Sequence, residues 1–104
     1  ATTVPQATSQ SSPVELNAVQ ALMAESRQLE SDLRSLPGEP RVMRAATAAT
    51  LSELEDRIAA IDYELNDPDV QMTSDEEEIF WRERVRLMKS LVQLRYAQAQ
   101  RAAF

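Results

Sequence analysis

An all-α fold of three long helices with coiled-coil-like packing is predicted, and three observations carry the prediction. Leu51, Leu54, Ile58, Ile61 and Leu65 recur at spacings of three, four, three and four, the stripe of a helix that packs along another helix. A single glycine in 104 residues argues against a sheet protein, whose tight turns use that residue repeatedly. Proline-bearing breaks at 37–40 and 67–68 divide the chain into three segments, each with helical periodicity. A coiled-coil seam cannot be buried by its own helix. It calls for another helix, from this chain or from a second copy.

Residues 1–12, ATTVPQATSQSS, are uncharged and rich in Ser, Thr and Gln, which is linker composition. They predict a flexible polar tether, with residues 13–104 forming one helical domain. The tether has neither a basic n-region nor an apolar h-region, and the missing initial methionine predicts a processed or excised chain.

The first helix is expected to start at Pro13, which suits the first helical position, with Ser12 as cap and Glu15 at the capping-box position. Its stripe is Val19, Leu22, Ser26, Leu29, Leu33 and Leu36, interrupted at Ser26, which reads as a packing adjustment. Pro37-Gly38 then stops a helix of about 35 Å. The short Pro37–Pro40 connection predicts that helices 1 and 2 form an antiparallel hairpin.

Helix 2 is expected to run continuously from about residue 41, because the alanines at 45, 46, 48 and 49 favour helix; a restart at Thr50, with Glu53 completing a capping box, is the alternative. It should end at Asn66-Asp67, since the residue before Pro68 is driven out of helical backbone. Helix 3 is expected to begin after Thr73 or Ser74, with Glu76 or Glu77 completing a box and Asp75–Glu78 favouring the positive end of the helix dipole. Two adjacent stripes, Phe80-Leu87-Leu91-Leu94 and Trp81-Val85-Met88-Val92, make a face wide enough for more than one neighbour.

Composition narrows the function. Only five residues are aromatic, so a large compact core is not expected and dimerisation through the seams is. With no histidine, the usual general base and the commonest transition-metal ligand are missing; with no cysteine, so is a thiolate. The net charge of −6 disfavours nucleic acid or an anionic membrane surface as main partner. No apolar run approaches the roughly 20 residues that span a bilayer. Arg57 is the sole cation of residues 51–78 and Glu83 the sole acid of 79–104, which favours helix 2 lying beside helix 3.

Two clusters resemble ligand sites but fit a structural role better. Asp67, Asp69, Gln71, Asp75 and Glu78 match positions one, three, five, nine and twelve of a calcium-binding loop, but Met72 stands where the turn needs glycine and Pro68 occupies position two. The acids from Asp75 onward read better as helix-start residues. Arg82, Arg84, Arg86 and Lys89 could attract an anion, but alternate positions of a helix do not share one face; they are expected to flank the apolar stripe and meet the acids of helix 2. Glu30–Arg34, Glu53–Arg57 and Glu78–Arg82 read as helix-supporting pairs. No catalytic, cofactor or metal residues are assigned. The residues expected to mediate partner binding or self-association are Leu51, Leu54, Ile58, Ile61, Leu65, Trp81, Met88 and Leu91.

The stretch Arg41-Val42-Met43-Arg44-Ala45-Ala46-Thr47-Ala48-Ala49-Thr50-Leu51, followed by Leu54-Glu55-Asp56-Arg57-Ile58, resembles the extracytoplasmic region of proteobacterial single-pass anti-sigma factors, over roughly residues 14–100. The resemblance implies a periplasmic regulatory domain, joined through the polar tether to a membrane helix and a sigma-binding domain upstream. It carries over no site residues. The expected function is therefore non-catalytic recognition of protein helices, with homo-oligomerisation and with membrane association only through that upstream anchor. A cytoplasmic coiled-coil adaptor or assembly chaperone is the alternative.

Overall fold

A computed structural model of the chain describes residues 13–38 and 42–102. The tether at 1–12 and the Ser12 cap lie outside the described residues. Three helices are present, α1 over Pro13–Ser35, α2 over Ala45–Asn66 and α3 over Ser74–Ala102, and no strand occurs among the described residues.

The breaks have local causes. After α1 the Leu36 N–H donates to the Leu33 carbonyl at 3.2 Å, a tight closing turn before Pro37-Gly38. The helix expected from residue 41 begins instead at Ala45, because Arg44 is extended (φ −63°, ψ 143°) and no side chain caps it. The extended stretch lets Met43 turn back onto the hydrophobic core, and the alanines then sustain the helix. Thr50 lies inside α2, where its hydroxyl donates to the Ala46 carbonyl at 3.0 Å, so it does not start a new helix. At the far end Asp67 is extended (φ −76°, ψ 115°), as its position before Pro68 requires. Helix α3 opens with a reciprocal capping box: the Glu76 N–H donates to Thr73 Oγ1 at 3.1 Å, and the Thr73 N–H to Glu76 Oε1 at 2.9 Å.

Helix α3 is the shared partner. It runs parallel to α1, since Ser26 lies beside Arg84 and Pro37 beside Arg95. It runs antiparallel to α2, since Thr50 and Leu54 share a groove with Leu94 and Ala97, and Leu65 lies near Glu77. Helices α1 and α2 are therefore antiparallel to each other, as the short connection predicts. The closest backbone approaches, however, are those that each makes to α3; no described Cα of α1 comes within 8 Å of one in α2.

The core is built mainly where α2 meets α3. Leu51, Ile58 and Ile61 pack with Leu87, Met88 and Leu91, and Leu29, Leu33, Met43, Leu54, Leu65, Phe80 and Leu94 close around them. Each of the six buried side chains contributes about 1.5–3 kcal/mol and each half-buried one less, which holds the long helices together with few aromatics. Helix α1 adds the buried Val19, while its central layer at Ser26 is polar and only 1% exposed.

Candidate functional site

The residues expected to face a partner divide into two groups. Leu51, Ile58, Ile61, Met88 and Leu91 are buried and cover one another within one copy of the chain. Leu54, Leu65 and Trp81 are half-buried. Leu54 forms one wall of a shallow groove between α2 and α3 with Thr50, Ser90, Gln93, Leu94 and Ala97. The regular seam is thus spent largely on this chain's own α3, and open surface lies elsewhere.

Arg82, Arg84, Arg86 and Lys89 of α3 separate by face. Arg84 points inward, its side chain 10% exposed, and gathers groups from both other helices. Its Nε donates to Asp62 Oδ1 at 2.6 Å and its Nη2 to Asp62 Oδ2 at 3.2 Å, a two-pronged pair with α2. Its Nη1 donates to Glu30 Oε2 at 2.6 Å and also to the hydroxyl of Ser26, both on α1. The hydrogen bond to Asp62 is the largest influence raising the Arg84 pKa above its ordinary value, with burial opposing it, so the guanidinium stays charged. The guanidinium carbon also lies 6.0 Å from the centre of the Trp81 ring. The Trp81 Nε1–H is buried without an acceptor among the described residues.

In the sequence Ser26 reads as a break in one seam and Arg84 as a flank of another. A signal was present. Arg84 fills the vacant place in the Phe80-Leu87-Leu91-Leu94 stripe at spacings of four and three, so each stripe carries one polar member.

Arg82, Arg86 and Lys89 lie on the opposite face of α3, spaced four and three apart, in line with Ile79, Gln93 and Tyr96. All six are solvent-exposed, Ile79 at 66%. The expectation that these cations meet helix 2 does not hold for this face: Arg82 pairs with Glu78 and Arg86 with Glu83 on α3 itself, while Lys89 reaches Glu25 of α1 at 3.0 Å. Of these four, Arg84 is the one paired with a carboxylate of α2, Asp62. Of the expected helix-supporting pairs, Glu78–Arg82 forms, whereas Arg57 turns to Glu83 at 3.5 Å and Glu30 to Arg84. The hydrogen bond from Arg86 is the main cause that lowers the Glu83 pKa, and it raises that of Arg86 in return.

Between this ridge and α1 runs an open groove of about 600 Å³, lined by Leu22, Ile79 and Val85 and rimmed by Glu25, Arg82, Glu83, Arg86 and Lys89. An apolar floor with a mixed-charge rim suits the apolar face of an amphipathic helix or strand. A second exposed aromatic, Tyr63 at 72%, stands on the outer side of α2 beside Ala59, Asp62, Asn66, Asp67 and Pro68.

The acidic 67–78 segment is folded as a turn followed by a helix start. Asp67 Oδ1 accepts the Asp69 N–H at 2.9 Å, and Asp75–Glu78 already lie in α3. Its carboxylates do not converge, and no group of three or more acidic side chains poised for a metal occurs among the described residues. No helix among them is long and apolar enough to cross a membrane.

No family model, curated protein or solved structure matches this chain.

Proposed function

We propose that this chain is a non-catalytic protein-binding domain, most specifically the periplasmic regulatory region of a membrane-anchored anti-sigma factor. The observation that carries the binding role is the groove between α1 and α3, where Ile79 stands 66% exposed beside Leu22 and Val85 inside a charged rim. A large apolar side chain held in water at the mouth of an apolar groove favours a partner that covers it. The anti-sigma assignment rests on the resemblance of residues 41–58 and on the polar composition of residues 1–12. In this reading a partner seated on the helices changes access of a protease to the tether, and the signal passes without chemistry in the domain itself.

The test uses the full-length gene product in its own cells. A photo-crosslinking residue at position 79 should yield a discrete adduct that is lost with Arg86→Glu, and deleting residues 13–102 should alter a sigma-dependent reporter. An apolar span of about 20 residues upstream accompanies that outcome. An adduct with no reporter change, in a product without such a span, supports the cytoplasmic adaptor or chaperone, which would hold a client helix in the same groove. No adduct and an unchanged reporter refute both.

A further inference from the structure

The apolar stripes of α1 and α3 each carry one polar member, Ser26 and Arg84, and the two meet in one layer. Asp62 of α2 and Glu30 of α1 complete that layer, so a single side chain on the central helix engages both outer helices. We propose that Arg84 determines the register of this fold, selecting one parallel alignment of α1 on α3 and opposing both heptad-shifted alignments and pairing of α2–α3 units through their apolar seams.

The sequence of α1 makes the choice strict. A coiled-coil stripe repeats every seven residues, so apolar packing alone tolerates a slip of one heptad. A slip in one direction brings Val19 and Met23 to the places of Ser26 and Glu30; a slip in the other brings Leu33 and Pro37. None of those side chains can accept a hydrogen bond from a guanidinium in the way a hydroxyl and a carboxylate do. Ser26 is also small enough to leave room for the Arg84 head, and its burial to 1% exposure indicates that the space is filled. In any slipped alignment Arg84 stays in the interior with Asp62 alone. Two α2–α3 units joined seam to seam would likewise leave it with Asp62 alone, without Ser26 and Glu30. A buried charge deprived of part of its partners is less tolerable than one fully paired, whereas replacing the whole polar group by an apolar one often costs little. The ion cluster therefore contributes selection of alignment more than net stability. The alignment of the helices is independent of which partner the domain serves.

The test exploits the absence of native cysteine. Glu25 and Arg82 line one groove at nearly the offset that sets Ser26 beside Arg84 and Pro37 beside Arg95, and so mark the native alignment; Glu25→Cys with Arg82→Cys should cross-link with a short bifunctional thiol reagent. Ala18→Cys or Asp32→Cys with Arg82→Cys reports a slip of one heptad, about 10 Å along the axis. With Arg84 present, only the first combination should react. With Arg84→Met, circular dichroism should show unchanged helix content, while the ratio of slipped to native cross-links rises on the order of a hundredfold. Cross-linking confined to the native combination in Arg84→Met overturns the proposal, as does an unfolded Arg84→Met protein, since the cluster would then supply stability instead of selection.

Discussion

Truncating two leucines of the α2–α3 contact should have unequal effects, and the difference is a direct test of where the core lies. Leu87 is 1% exposed and sits in the centre of the buried cluster; Leu54 belongs to the regular stripe of α2 but forms the wall of an open groove. Leu87→Ala removes three carbons, about 2.4 kcal/mol of transfer free energy at about 0.8 per carbon, and the cavity left behind raises the loss to about 3–4 kcal/mol. At Leu54 water already reaches part of the side chain and the groove can close, so the loss should be about 1 kcal/mol. For a domain of this size each kcal/mol lowers the melting temperature by about 4–8 °C, so the two variants should separate by roughly 10 °C or more. Urea titration of both variants, read by circular dichroism, gives the free energies, with unchanged slopes as the sign that the unfolded state is not altered. Losses within about 0.5 kcal/mol of each other, or a larger loss at Leu54, would refute this placement of the core.

Other expected outcomes follow from the helix ends, the ridge and the surface charges. Thr73→Ala removes one half of the α3 capping box and should lower stability by about 1 kcal/mol, with hydrogen exchange accelerated at the amides of the first turn of α3. Ile79→Asp should leave stability within about 0.5 kcal/mol of the parent, because the side chain is exposed, while abolishing the adduct formed by a photo-crosslinker placed at Leu22. Glu83 has its pKa lowered, mainly by its hydrogen bond from Arg86, so its contribution is present above the ordinary carboxylate range and is lost as pH falls through its depressed value. The side chain is about one-third exposed, which limits the effect to about 0.5 kcal/mol or less; Glu83→Gln should differ from the parent by that amount at pH 7 and converge with it in acid, and the gap should shrink in high salt. A gap that persists at pH 2 would refute the assignment.

The helices were legible because their signals are local. Proline and its neighbours marked the ends of α1 and α2, and Thr73 or Ser74 with Glu76 or Glu77 marked the start of α3, of which the backbone uses Thr73 with Glu76. The start of α2 was less legible. Alanine propensity favoured helix from residue 41, but what decides the backbone there is Met43 folding onto a core whose other members lie far along the chain. The three-four repeat identified Leu51, Ile58 and Ile61 as seam residues without saying whose helix would cover them, since periodicity records the face and not the partner. Arg84 was misplaced for a related reason. Read with Arg82, Arg86 and Lys89, it belongs to a run of surface charge; read with Phe80, Leu87 and Leu91, it belongs to the interior. The second grouping gains weight only when Ser26 on another helix is recognised as its counterpart, 58 residues away.

The parallel pairing of α1 with α3 has a consequence for how the chain is made. Residues that join α2 to α3 through ion pairs are 22 and 26 positions apart, whereas those that join α1 to α3 are 54 to 64 apart. During synthesis at about 5–20 residues per second, α1 leaves the ribosome several seconds before the helix it will lie against has been made. A lone helix of 23 residues with these polar positions is only marginally stable in water, so α1 spends that interval as a fluctuating segment with its leucines unshielded. The antiparallel α2–α3 pair can close as soon as α3 emerges, and α1 then docks onto a surface already formed. The earliest made of these three helices is therefore the last to find its place, and the nascent chain passes through a stage in which α1 is open to chaperones or to any other helix with a complementary stripe.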